Sequence, residues 1–287
     1  MNRIAILGSG AMGSRLAHNL LKADYAVVVY NRTVSKAQPL LEKGATLAIT
    51  PREAAEQANL VISMVTDDEA SRQIWLDPQI GASLGMGSQQ IALESSTLTV
   101  AWTKTLATTL AQRDIPFLEV PVVGSRPQAE AGKLIGLAGG DPDILKVVEP
   151  VLHSAGIATI HSIGSIGQGM AMKLAVNGLF GTQVAALAEA LAILGQQGIP
   201  ALPAMVCLSQ LPVISPAAQG AGCLIAANQH TPLFPIALVE KDFRYLLAHS
   251  PASFTPVSTT MQQVYEKAVA QGYGAEHITA VAQLFAP

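Results

Sequence analysis

Lys173 and Asn177 stand four positions apart in an apolar, helix-patterned stretch, so they share one helix face, one turn from each other. Lys173 is the sole Asp, Glu, Lys or Arg between Glu149 and Glu189. A lone lysine in such surroundings is either a snorkelling side chain or a functional amine, and the missing counter-charge favours the amine. Burial lowers an amine's pKa from about 10.4 toward neutrality. That suits a proton donor near physiological pH, with Asn177 orienting the amine through its amide oxygen.

A second constellation lies at the N-terminus. Gly8-Ser9-Gly10-Ala11-Met12-Gly13 follows the apolar run Ile4 to Leu7 and opens a helical pattern. GxGxxG alone is a weak signal, but between a strand and a helix, with a second strand following, it is the pattern of a dinucleotide site. The first glycine permits the tight turn, the second lets a pyrophosphate approach the backbone, and the third lets helix pack on strand. The phosphates then lie at the positive end of the helix. The second strand ends in Asn31-Arg32-Thr33, with no carboxylate to repel a 2′-phosphate and a guanidinium to bind one, so NADP(H) is expected rather than NAD. Met64 and Val65, where a later strand ends, are counted with the cofactor-binding residues.

Two further stretches also follow strands. Ser95-Ser96-Thr97 falls on the carboxyl edge where open α/β sheets bind ligands. Glu119-Val120-Pro121-Val122-Val123-Gly124-Ser125 has backbone amides that can hold a small anion in a nest. His18, His153, His161, His230, His249 and His277 lack a ligand spacing such as HxxxH and read as surface or satisfied core residues, and no metal is expected.

Positioning these residues requires a particular order of elements. Ile4 to Leu7, Ala26 to Tyr30, Leu60 to Met64, Gln90 to Leu93 and Pro116 to Glu119 read as strands. Met12 to Lys22, Ser35 to Lys43, Pro51 to Gln57 and Val100 to Gln112 read as the helices between them, giving βαβαβ and a parallel sheet. Leu134 to Ala138 and Ala158 to Ser162 read as further strands flanking a helix, Pro142 to Ser154. From Gly164 the chain is rich in Ala and Leu and helical in pattern, with prolines punctuating the helices. The expected division is residues 1–163, an α/β domain, and residues 164–287, an all-α domain.

The 287 residues are 50% hydrophobic and only 13% charged, with net charge −3. Without a basic run there is no electrostatic footprint for nucleic acid. The apolar run after Arg3 stops at Gly8, too short for a signal peptide, and two cysteines fit a reducing cytosol. Leu174 to Leu194 has the length of a membrane span, but Asn177, Thr182, Gln183 and Glu189 interrupt it. A helix buried on most faces between protein domains or subunits is the expected reading, with no membrane partner. So apolar an α-domain needs a covering surface, which points to a homodimer or homotetramer.

Together, Gly8 to Gly13, Asn31-Arg32-Thr33, Ser96-Thr97, the Pro121-Val122 stretch, Gly164-Ser165-Ile166-Gly167-Gln168-Gly169 ahead of Lys173 and Asn177, and Lys241-Asp242 resemble the successive motifs of the β-hydroxyacid dehydrogenases, the 3-hydroxyisobutyrate dehydrogenase-like family. The resemblance runs nearly end to end. Glu119 to Leu134 and Phe234-Pro235 are most similar to the glyoxylate and succinic semialdehyde reductase branch. It implies a Rossmann domain, an all-α C-terminal domain joined to it by a long interdomain helix, and a site in the cleft. It further implies NADPH-dependent reduction of a small aldehyde acid, or the reverse oxidation, with Lys173 as general acid. By the same resemblance Thr97 and Lys241 lie near the nicotinamide, and Val122, Val123, Gly124, Ser125, Phe234 and Asp242 near substrate. One departure stands out: Val123 occupies a position where the family commonly has serine. Two rival readings are an imine reductase-like enzyme, which commonly lacks the lysine, and a non-catalytic NADP-binding protein.

Overall fold

The computed structural model describes residues 1–248, 250 and 253–285, so His249 lies outside the described residues. The chain divides into two units, Met1–Lys173 and Leu174–Pro287. The first runs β1 (Arg3–Leu7), α1 (Gly13–Lys22), β2 (Ala26–Tyr30), α2 (Gln38–Leu41), β3 (Thr46–Leu47), α3 (Pro51–Glu56), β4 (Leu60–Ser63) and α4 (Asp68–Leu76). It continues through β5 (Ile91–Glu94), α5 (Val100–Ala111), β6 (Phe117–Glu119), β7 (Val122–Val123), α6 (Arg126–Glu130), β8 (Leu134–Gly140), α7 (Pro142–Ser154) and β9 (Ile157–Gly164).

The nine strands among the described residues form one sheet in the order β3-β2-β1-β4-β5-β6-β8-β7, with β9 beside β8. From β3 to β6 all pairings are parallel. The order reverses at β1 and β4, and such switch points open the crevice in which doubly wound sheets bind ligands. Alternation along the strands serves two cores. Ile4, Ile6, Val27 and Val29 pack with Leu16 and Leu20 of α1, while Ala5, Leu7 and Val28 join the cluster of Trp75, Trp102 and Leu106.

Local signals start the helices. Thr50, Asp67, Thr99 and Asp141 each accept a first-turn amide through a side-chain oxygen. The five strands read as a parallel βαβαβ series are parallel; β8, to which no direction was assigned, runs antiparallel to β6 and β7, because only short elements separate them and no crossover helix carries the chain back. The helix expected over Ser35 to Lys43 is instead a 3₁₀ turn, Val34–Lys36, followed by α2. Pro39, which has no N–H to donate, sits in the first turn of α2 and breaks the longer pattern. α4, α6 and the short strands β3 and β7 lie in stretches to which the sequence assigned no element.

α8 (Gln168–Gln196) begins in the first unit, and the unit boundary falls inside it. The second unit continues with α9 (Ala201–Leu208), α10 (Pro216–Ala226), α11 (Ile236–Leu247) and α12 (Pro256–Ala270), then 3₁₀ turns at Tyr273–Ala275 and Ile278–Phe285. Phe243 stacks on Tyr265 with ring centroids 5.6 Å apart, and Tyr265 donates its hydroxyl to Gly181 O at 2.8 Å. α8 is long and apolar enough to cross a membrane, and a third of its most apolar stretch is buried. Leu179, Leu202, Val206 and Val213 are all more than half exposed.

Candidate cofactor and active site

The turn between β1 and α1 is built around its glycines. Gly8 has φ +103°, and a Cβ there would fall on Met64 O; a Cβ on Gly13 would fall on Gly8 O. Nothing lies within 4 Å of the Cβ position of Gly10, which is exposed. So the outer two glycines close the turn on the end of β4, and the middle one presents bare backbone to solvent. In the first turn of α1 the Ser14 amide donates to Gly10 O and those of Arg15 and Leu16 to Met12 O, so what the turn offers a ligand is the backbone before them, and Ser9 Oγ is buried with no partner among the described residues. These features fit a dinucleotide's pyrophosphate.

Beside this turn is a groove of about 600 Å³, whose lining includes Ser9, Gly10, Arg15, His18, Lys36 and Lys43. Its three lysines, Lys22, Lys36 and Lys43, have no role in the sequence reading; the available signal was their flanking of the Asn31-Arg32-Thr33 cluster. Arg32 and Thr33 are exposed at the end of β2. Asn31 has a second use. Its Oδ1 accepts Ser9 N at 3.1 Å and its Nδ2 donates to Thr33 O at 2.8 Å, so both ends of the amide brace the glycine turn and the end of β2.

The neighbouring loops are tied by one hydroxyl. Val65 N donates to Ser96 Oγ at 2.8 Å, joining the loop after β4, with half-buried Met64 and Val65, to the loop holding half-buried Thr97. Ser96 N in turn donates to Glu94 Oε1 at 3.0 Å. Glu94 is wholly buried, with Ser71 Oγ at 2.8 Å and Trp75 Nε1 at 2.9 Å as further donors, and burial pushes its carboxyl up against those hydrogen bonds. Glu119, its register partner on β6, is pushed up to about 7, first by burial, with the Glu94 charge adding to it. The sequence reading gave no role to either carboxylate. An acid ending an otherwise apolar strand was the available signal.

The stretch expected to form an anion nest is partly committed elsewhere. Val122 and Val123 are β7, paired with Gly136 and Ile135. Leu137 donates to Pro121 O, so by antiparallel alternation the amide of Val123 faces Ile135 in the ladder. The amide and hydroxyl of Ser125 both donate to Gln128 Oε1, at 3.0 and 2.9 Å, starting α6. Gly124 makes the turn at φ +123°. What faces outward here is the half-buried Val123 side chain, followed by Arg126, whose Nε is buried without a partner among the described residues.

Lys173 is 7% exposed on α8. In the second unit, Asn177 of α8 donates Nδ2 to Asp242 Oδ2 at 2.6 Å, and Asp242 Oδ1 lies 3.1 Å from Lys241 Nζ. All three are buried, and the Lys241 ammonium sits 4.9 Å from the Tyr245 ring centroid. This cluster fixes the Asn177 amide: with nitrogen committed to Asp242, its other end is an acceptor, one turn along α8 from Lys173. Phe234 is held from both sides, its amide donating to His277 Nδ1 at 3.1 Å and its carbonyl accepting from Ile278 N at 2.8 Å. Burial holds the His277 pKa down, which favours the neutral ring. No group of three or more His, Cys, Asp or Glu among the described residues is placed to hold a metal.

Comparison with known proteins identifies the family. Residues 3–164 match the NAD-binding domain of 6-phosphogluconate dehydrogenase, and residues 167–285 match the NAD-binding domain of NADP-dependent 3-hydroxyisobutyrate dehydrogenase. The chain is 32% identical over 280 residues to glyoxylate/succinic semialdehyde reductase 2, chloroplastic, of Arabidopsis thaliana, covering 97% of this chain and 78% of that protein. It is 29% identical over 285 residues to glyoxylate/succinic semialdehyde reductase 1 of the same plant, covering 97% and 96%. In fold it is similar to Mycobacterium tuberculosis 3-hydroxyisobutyrate dehydrogenase, solved with L-serine, with TM-score 0.89 and 24% identity over the whole of both chains. The chain belongs to the β-hydroxyacid dehydrogenase family of NAD(P)-dependent oxidoreductases.

Proposed function

We propose that the chain is an NADPH-dependent reductase of a small aldehyde acid, of the glyoxylate or succinic semialdehyde type, able to run the reverse oxidation of a 3- or 4-hydroxy acid. The observation that carries this reading is the buried Lys173 one turn before an Asn177 whose amide is oriented by Asp242. A bound nicotinamide supplies the hydride. Lys173 donates its proton to the aldehyde oxygen, and in oxidation takes it back. Asn177 Oδ1 accepts from the ammonium and holds it in place. Gly8 to Met12 hold the pyrophosphate and Arg32 with Thr33 the 2′-phosphate, while Met64, Val65, Thr97 and Lys241 line the nicotinamide side. Val122 to Ser125, Phe234 and Asp242 shape the substrate end, where Arg126 offers the carboxylate a charge. The names of the two plant relatives support the substrate class.

The working form is a homodimer or homotetramer through the helical unit, supported by the exposed Leu179, Leu202, Val206 and Val213. Its compartment is the cytosol, supported by two exposed free thiols, Cys207 and Cys223. The test is NADPH oxidation over a panel of aldehydes with wild type and Lys173→Met. General acid catalysis is worth about two to four orders of magnitude, so turnover falls by at least about a hundredfold while NADPH binding is kept. Turnover above half of wild type rejects the assignment of Lys173.

A further inference from the structure

The proposed reaction uses neither of the two carboxylates that lie side by side inside the first unit. Glu94 and Glu119 end adjacent parallel strands in register, and neither is exposed. Glu94 is supplied with donors from Ser71, Trp75 and Ser96. Glu119 is arranged differently. Its Oε1 accepts the amides of Gly167 at 2.6 Å and Gly169 at 3.0 Å. These belong to the start of α8, whose first-turn donors no intrahelical carbonyl can satisfy, and a negative charge there meets the positive end of the helix.

The surroundings are cut to admit this contact. A Cβ on Gly139, the β8 residue opposite Glu119, would fall on Glu119 Oε1, and a Cβ on Gly169 would fall on Leu137 O. Met170 adds a second tie, its Sδ accepting Leu98 N at 3.2 Å just beyond the Ser96-Thr97 loop. Glu119 Oε2 is buried with no partner among the described residues. A buried oxygen left bare costs stability, a cost that an ordinary Ser or Asp cap at an exposed helix start does not incur.

We propose that Glu119 is a positioning residue for the proton donor, clamping the first turn of α8 to the carboxyl edge of the sheet and thereby fixing Lys173 one turn further along the same helix. It rests on the assignment of Lys173 as general acid. Lys173 is the fourth residue after Gly169, roughly 6 Å along the axis, so the carboxylate also favours the protonated amine. The other ionisable groups about the clamp are Glu94 on the next strand and Lys104 of α5, whose Cε is 2.6 Å from the Cβ position of Gly167; β8 contributes Gly139 and Gly140.

The experiment compares wild type, Glu119→Ala, Glu119→Gln and Lys173→Met by melting temperature, NADPH KM, and the pH profile of kcat for reduction of the best aldehyde. Glu119→Ala is expected to lose at least tenfold in kcat with NADPH KM within threefold. Glu119→Gln keeps an acceptor oxygen and so restores kcat to within about threefold of wild type, but it removes the charge. The alkaline limb of its profile then moves to lower pH by on the order of one unit. The proposal stands only if both results are obtained, and either one failing overturns it. If Glu119→Ala does not fold, the limb of Glu119→Gln decides alone. Should Lys173→Met keep more than half of the turnover, the general-acid assignment and this proposal fall together. An inactive Lys173→Met beside an unaffected Glu119 series rejects the clamp alone.

Discussion

Gly10→Ala separates what the glycine turn does for the fold from what it does for the cofactor. Nothing lies within 4 Å of the added methyl, and Gly10 does not have the positive φ of Gly8. The free protein should therefore keep its stability within about 0.5 kcal/mol, with a small gain possible from a stiffer unfolded chain. The methyl instead occupies the space over bare backbone where a pyrophosphate has to approach. Losing one charge-assisted amide bond to phosphate costs about 1.5–3 kcal/mol, or about tenfold to 150-fold in NADPH affinity. At a concentration one hundred times the wild-type Kd, NADPH stabilises wild type by about 2.7 kcal/mol, whereas a variant binding a hundredfold more weakly gains about 0.4 kcal/mol. Thermal melts with and without NADPH read this difference directly. Gly8→Ala is the contrast: its methyl collides with Met64 O at positive φ, so the free protein itself should be crippled. A Gly10→Ala protein that retained the full NADPH-induced shift, or that melted far below wild type without NADPH, would refute the division of labour among the glycines.

Arg32→Ala is expected to weaken NADPH about tenfold to a hundredfold and leave NADH nearly unchanged; equal losses for both, measured by KM, reject a contact to the 2′-phosphate. Val123→Ser is expected to lower KM for glyoxylate or succinic semialdehyde severalfold with a smaller change in kcat, since a hydroxyl to a carboxylate is worth roughly 1.5–3 kcal/mol in ground and transition states alike. No improvement for any carboxylate aldehyde, with an uncharged aldehyde the better wild-type substrate, would end the carboxylate hypothesis. Glu119 makes stability pH-dependent in a defined direction. Its carboxyl is raised from 4.5 to about 7 in the folded chain, so its stabilising effect is complete below about 4.5 and is lost as pH rises through 7. At about 1.36 kcal/mol per pH unit, the loss is roughly 3 kcal/mol. Urea unfolding between pH 5 and 8 should show that decline in wild type, and a Glu119→Gln protein with the same slope contradicts it.

Where a signal was local, the sequence carried it. β2 is Ala26–Tyr30 and α7 is Pro142–Ser154, as read, because a β-branched run and an Asp-Pro helix start need no distant partner. α4 had its cap, Asp67, and two acids in the first turn, but only Ile74 and Trp75 mark its apolar face, and Ser71 fills the buried turn before them. That dilution hid the helical period. The brief β7 and α6 were hidden by length, since two and five residues display no period. In the site, glycine spacing revealed the turn, but not that Asn31 braces it, that Ser96 reaches Val65, or that two carboxylates share a buried row. Those are contacts between residues more than 20 positions apart, made by sheet order rather than by any local pattern.

The stretch from residue 190 to 239 contains no Asp, Glu, Lys or Arg, and it bears the exposed Leu202, Val206 and Val213. Any association across that face is governed by water rather than by ions. Raising ionic strength with a simple salt has no charge pairs there to screen, whereas excluded solutes such as sulfate tighten it. Because apolar hydration has almost no enthalpy near room temperature and a large heat capacity, the contact weakens on cooling. An assembly joined this way is therefore most fragile in the cold.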